Sequence, residues 1–246
     1  MKSLKILLLF CIFSFLLAFH SVAQEKEFIQ QHLLWLHYYN KLVISDHWVF
    51  HSQAEDRIYY SPYAQHQFTL RGHLHYLPSE NLDLSVGLSF FGNFPNDPET
   101  EERLLVPEWR PHQEMILSQK SGIFSFSHRY QIEERFVHNN VNNELIAGYK
   151  FNMRFRYRFM IEHPLNKSKS IKLKLYDEVM INAGKNITNN IFDQNRSYAG
   201  IQWKLSKNFS IEGGYMYLIQ QRISGYSFYT RHIIRLTLTQ NISIKH

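Results

Sequence analysis

The sequence predicts an all-β fold: an antiparallel, up-and-down transmembrane β-barrel of about twelve strands, with ten as the second choice, reached after export. Three observations carry this expectation. The chain of 246 residues opens on a leader-like apolar run. Beyond it, apolar and polar residues alternate with period two, the signature of strands whose side chains point to opposite faces. No later stretch is apolar enough to cross a bilayer as a helix. Composition agrees. Aromatics at 15% and charged residues at 20% exclude a disordered chain, and a single cysteine excludes a disulfide scaffold or a multi-cysteine zinc module. A mean hydropathy of −0.34 argues against a helical membrane bundle but not against a barrel, whose strands are only half apolar.

The leader comes first. Lys2 and Lys5 precede an apolar run over residues 6–19, and Ser21-Val22-Ala23 places small residues at a cleavage site. This is a signal peptide over 1–23, with cleavage expected before Gln24 and a barrel domain over 24–246. Cys11 lies in the leader without a lipobox, so lipidation is not expected. Removing two lysines leaves 25 − 21 = +4 for the mature chain. Nothing resembles the clustered basic helix of a nucleic-acid binder, so no nucleic-acid partner is expected.

Eleven strand candidates follow. Segments 31–41 and 47–57 are weak, the second carrying Glu55 and Arg57 on its polar face. Phe68, Leu70, Leu74 and Tyr76 alternate with Gln67, Thr69, Arg71, His73 and His75. Leu82 to Phe90 alternates with Asp83, Ser85, Gly87 and Ser89. Segment 108–118 is weak because Pro111 lacks a ladder donor, which predicts a bulge or a strand end there. Segments 124–135, 171–181, 196–205, 209–217 and 232–239 alternate clearly, and 148–162 most clearly of all. In that segment Tyr149, Phe151, Met153, Phe155, Tyr157, Phe159 and Ile161 oppose Lys150, Asn152, Arg154, Arg156, Arg158, Met160 and Glu162. Single-chain bacterial barrels normally have an even strand number, with both termini in the periplasm. Eleven candidates therefore resolve to twelve, through a further strand near 24–30 or 58–64, or to ten, with 31–41 as a lead-in.

Connections alternate between short polar turns (78–81, 119–122, 163–169, 206–208) and longer segments (93–107, 137–145, 182–193, 221–227), the habit of outer-membrane barrels. Segment 93–107, with Asp97, Glu99, Glu101 and Glu102, and segment 137–145, with four asparagines, are expected to be solvated outer loops. Aromatics near strand ends (Tyr76, Phe90, Tyr130, Tyr149, Phe159, Tyr217) suit an interfacial girdle. Period two does not say which face is inside. A soluble exported barrel or sandwich would turn the apolar face inward. The membrane reading is favoured because nearly every strand has an apolar face, too much surface for one small lumen.

On that reading the lumen face holds Arg57, Arg71, Arg110, Arg129, Arg135, Arg154, Arg156, Arg158, Arg196 and Arg235, with Lys150, Lys172, Lys174 and Lys204. The acids are Glu55, Asp83, Glu108, Glu114, Glu133, Glu162, Glu178 and Glu212. Fourteen bases face eight acids. The first reading is a brace of Arg–Glu pairs that closes the barrel, because unpaired charge is costly where water is scarce. The second is a narrow pore whose surplus arginines prefer a small anionic solute. The third is a lipid hydrolase or acyltransferase, which needs a nucleophile and base in contact. No such arrangement is recognisable, and His128 should face outward beside lumen-facing Ser127. No enzyme activity and no cofactor is expected. His73 and His75 share a face and offer two metal ligands, but no third is evident, so no metal site is assigned. The partners expected are outer-membrane lipid and the barrel-insertion machinery, although the chain ends Ile244-Lys245-His246 rather than on an aromatic.

Several phrases resemble an uncharacterised Gram-negative outer-membrane family, the domain of unknown function numbered 2490. They include Glu108-Trp109-Arg110-Pro111-His112-Gln113, the stretch His128 to Phe136, and Arg154-Phe155-Arg156-Tyr157-Arg158. Others are Tyr176-Asp177-Glu178, Asp193 to Gly200, and Gly213-Gly214-Tyr215. The resemblance runs from about Trp35 to Leu238. It implies an outer-membrane barrel and brings no activity with it.

Overall fold

A computed structural model describes residues 26–245. The expected leader, with Cys11, lies outside the described residues. Those residues form eleven strands: β1 (Glu27–Val43), β2 (Trp48–Tyr60), β3 (Tyr63–Ser79), β4 (Leu82–Asn93), β5 (Val106–Ser121), β6 (Phe124–Val141), β7 (Glu144–Pro164), β8 (Ile171–Ala183), β9 (Phe192–Lys204), β10 (Phe209–Gln221) and β11 (Ser227–Ser243). They close into one barrel in sequence order.

The all-β barrel is as expected, but its strand number is eleven, neither twelve nor ten. Every sequential pair is antiparallel, and the odd count makes β1 and β11 run the same way. They close the barrel as a parallel pair in unbroken register, from Glu27↔Ser227 to Val43↔Ser243. The weak segment 31–41 is therefore no lead-in. It is the middle of a strand bonded on both edges, to β11 and to β2. The two ends of the barrel chain, Glu27 and Ser243, lie at opposite ends of the barrel, not together.

Three local expectations also change. Pro111 sits in mid-strand with no bulge. Its pairing to Leu88 of β4 is intact, and β5 and β6 merely skip Arg110 and Pro111 without a change of register, so the missing N–H falls on the β6 side. Segment 137–145 is not a loop. The strands run on to a two-residue turn, Asn142-Asn143, with φ of 48° and 60°, the left-handed region that asparagine tolerates. The β4–β5 connection does not simply extend into solvent, because Asn96 turns into the barrel.

The faces are now assigned. Leu36, Leu70, Leu74, Val86, Leu88, Trp109, Phe155, Ile201, Trp203, Leu236 and Leu238 are exposed on the outside. Glu108, Arg110, Glu133, Arg154, Arg156 and Glu178 are buried inside. The apolar faces point outward, not inward as a soluble barrel or sandwich would turn them. An internal apolar cluster does exist beside the β1–β11 seam, where Leu33, Trp35, Tyr59, Met216, Leu218 and Ile233 pack together. No helix among the described residues is long and apolar enough to cross a membrane.

Candidate functional site in the barrel lumen

Strand alternation places every second residue of eleven strands in one narrow space, so the polar faces read from the sequence must meet there. Glu133 of β6 and Glu178 of β8 face each other across β7. Between them Arg156 reaches Glu133 at 2.5 Å and Glu178 at 2.9 Å. Arg129 also pairs with Glu178 and lies 3.4 Å from Glu114. Arg196 approaches Glu178 at 3.9 Å. Arg110 bonds Glu108 at 2.7 Å and lies 3.4 Å from Glu133, while Arg135 bonds Glu108 at 2.6 Å. Arg154 joins Glu133 at 3.7 Å to Asp193 at 3.0 Å. Nearer the other end, Glu212 accepts from Lys174 at 2.8 Å and from the Tyr198 hydroxyl at 2.7 Å.

The expected lumen network is therefore assembled in space, with differences in detail. Arg71, Arg158 and Arg235 face inward but belong to no ion pair among the described residues. Arg71 lies over Phe91 at 5.2 Å and Arg158 over Tyr176 at 5.4 Å. Arg235 donates to His37 Nδ1 at 3.1 Å and the Tyr176 hydroxyl at 3.4 Å. Lys150, in β7 and the register partner of Val137, and Lys204, the last residue of β9, are exposed and outside the network. Two members were not anticipated. The sequence assigns Asp193 to the connection 182–193, whereas β9 begins at Phe192 and turns Asp193 inward. Arg231 is buried at 3% exposure and shares the parity of Arg235, so extending the alternation of β11 by two pairs of residues would have found it.

Asn96 reaches over one mouth of the barrel. Its carbonyl accepts from Gln31 at 2.6 Å and from the Tyr59 hydroxyl at 3.0 Å. Its side-chain oxygen accepts from Arg231 at 2.8 Å and lies 3.4 Å from His66 Nε2. The β4–β5 connection is thus fastened to β1, β2, β3 and β11, across the opening. Below it the lumen divides into cavities of about 450 Å³ and 340 Å³. Trp35, Arg57, Arg71, Arg156 and Arg196 line both, and so stand between them. Arg57 stacks on Trp35 at 4.0 Å, and Arg196 lies 5.3 Å from the same ring, so part of this waist is held by cation–π contact. A groove of about 910 Å³ on the outer wall, lined by residues such as Leu36, Leu70, Trp203 and Leu236, is larger but apolar.

The histidines gather on one side of the lumen. His51, His73, His75 and His112 come from β2, β3 and β5, with His73 Nδ1 3.2 Å from His112 Nε2. Ser89 Oγ lies 3.4 Å from His112 Nδ1. That nitrogen is also 3.1 Å from the Arg110 carbonyl, to which only an N–H can bond. It therefore holds its proton and is no base for the Ser89 hydroxyl. His128 faces outward, 2.8 Å from the Tyr157 hydroxyl.

A family model described as a protein of unknown function (DUF2490) matches residues 33–229, from within β1 to the start of β11. No curated protein matches the chain.

Proposed function

The chain belongs to the family of proteins of unknown function DUF2490, and from that premise we propose that it is an outer-membrane β-barrel whose lumen is closed by its own ion pairs. The supporting observation is the inversion of its faces, apolar side chains exposed outside and a paired charge network buried inside. In water this arrangement would expose a continuous apolar wall, far beyond the patches that soluble monomers carry. In a bilayer the same wall meets lipid. Outward aromatics also fall in rows. Phe90, Trp109, Phe136 and Phe151 are successive register partners at one level of β4–β7. On β7, Phe159 lies eight residues further along, about 20 Å along the barrel axis at strand rise and tilt of roughly 3.3 Å and 40°. That is comparable with the ~25 Å apolar band of such barrels.

The closed reading rests on Asn96 across one mouth and on the arginine waist. The barrel then serves as a scaffold in the membrane, without enzyme chemistry. Arg71, Arg158, Arg231 and Arg235, with no carboxylate partner among the described residues, favour a second reading, a narrow pore for small anions. Planar-bilayer recording separates the two. The closed barrel is electrically silent. A steady anion-selective current that changes in Arg156→Ala would overturn closure in favour of the pore. Fractionation tests the location: the folded protein should sediment with outer membranes and migrate differently on gels before and after boiling. Recovery as a soluble periplasmic protein would refute the membrane reading.

A further inference from the structure

We propose that His73, His75 and Glu114 form a binding site in the lumen for a divalent transition-metal ion of the zinc type. One ligand atom from each of these residues lies within 4.8 Å of the other two, and all three side chains are buried. This site goes beyond the closed-barrel reading and does not depend on it.

The site follows from strand register. His73 and His75 lie two residues apart on β3 and share its inner face. Ser85 of β4 is the register partner of both His75 and Glu114, so β3 and β5 reach toward each other over β4. Strand β4 contributes only small residues here. A Cβ at Gly87 would stand 2.6 Å from His112 Nε2 and 2.5 Å from the Gly72 carbonyl oxygen. The absence of a side chain at that position is what lets the imidazoles of β3 and β5 meet.

Hydrogen bonding then fixes which nitrogen each imidazole presents. The Arg110 carbonyl only accepts, so neutral His112 carries its proton on Nδ1, 3.1 Å away. His112 Nε2 is then an acceptor, and the proton in its 3.2 Å contact with His73 belongs to His73 Nδ1. The lone pair of His73 therefore lies on Nε2. On His75, Nδ1 donates to Asp83 at 2.8 Å, which leaves the lone pair on Nε2 as well. His75 Nε2 and Glu114 Oε2 are buried without a hydrogen-bond partner. Two imidazoles thus offer Nε2 while a carboxylate or a second imidazole holds each Nδ1–H, the outer arrangement that orients metal-binding histidines.

The donor set, two imidazoles and a carboxylate, suits zinc and the later first-row ions, with a fourth position open. His51 adjoins His75. Its ring centroid is 3.9 Å from that of His75, and its Nε2 is also buried without a partner. The opposing charge is Arg129, 3.4 Å from Glu114 Oε2. Arg129 also pairs with Glu178, so an ion that takes Glu114 does not strand the guanidinium.

The test is titration of the untagged, folded, full-length protein with Zn²⁺ by calorimetry and with Co²⁺ by visible absorption. One ion should bind per chain. Glu114→Gln and His75→Ala should weaken binding at least tenfold, on the order of the 10–100-fold expected for Asp83→Asn, which removes only the orienting carboxylate. His128→Ala, on the outer face, should bind like the parent. No saturable binding, or affinity equal to the parent's in all three lumen variants, overturns the proposal. X-ray absorption of the zinc-loaded parent decides without any variant, should His75→Ala fail to fold. Imidazole and carboxylate ligands at about 2.0–2.2 Å support the site. A shell with fewer than two imidazoles overturns it.

Discussion

Glu178 holds three guanidiniums at once, those of Arg129, Arg156 and Arg196, at a depth where its own exposure is 2%. Replacing one partner of such a buried set costs more than the set contributes, because the remaining charges stay desolvated and unpaired. Glu178→Gln keeps the shape and removes the charge. It should destabilise the folded barrel by about 3–5 kcal/mol in urea titration from vesicles or detergent. Glu162→Gln makes the contrast, since its partner Lys172 is 39% exposed at the side chain and its second partner, Lys174 at 3.6 Å, keeps Glu212 at 2.8 Å. That change should cost no more than about 1 kcal/mol. Equal effects would mean that the lumen is wet and the brace idle. Glu178, Glu133 and Arg156 were all legible in the sequence, because strong alternation fixes parity and parity fixes the face. Asp193 was not, because it stands second in β9, where alternation is not yet plain, and Arg231 lies one residue before the alternation of 232–239. Glu114 was placed on the lumen face, but its meeting with His73 and His75 was not legible. That contact depends on the register of β4 between two other strands, and a single sequence does not encode cross-strand register openly.

The β1–β11 seam is the element on which the architecture turns. Parallel closure pairs outward-facing Asn40 with Gln240. The described residues carry no cysteine, so Asn40→Cys with Gln240→Cys gives a clean probe. Oxidation should yield an intramolecular disulfide that shifts the unboiled and boiled bands, since directly paired strand residues lie within disulfide reach. Failure to cross-link, in a barrel that still folds, would exclude this register. The seam was hidden from sequence reasoning for a physical reason. Segment 31–41 alternates poorly because Leu33 and Trp35 face inward as apolar residues and join the internal cluster with Met216 and Ile233. A strand that is apolar on both faces loses its period-two signal, although its existence is no less certain once both edges are bonded. Pro111 misled in the opposite way. Its cost to a ladder is real, but it falls on one edge, and here the β4 edge of the same strand is intact.

An odd strand number has a consequence for the whole molecule that an even one lacks. With eleven strands the chain enters at one end of the barrel and leaves at the other. The β4–β5 and β8–β9 connections share the end of Glu27, whereas the turns at 44–47 and 80–81 share the end of Ser243. In the proposed outer-membrane barrel, longer connections that face outward, as is usual for such barrels, bring the start of β1 to the cell surface and leave the end of β11 in the periplasm. Epitope tags test this directly. A tag placed just before Glu27 should be reached by antibody on intact cells, and one after Lys245 only after the outer membrane is opened. Reaching the C-terminal tag alone would invert the orientation and leave the fold standing. Finding both tags on one side would contradict the parallel seam itself, because only an even strand count returns the chain to the side from which it came.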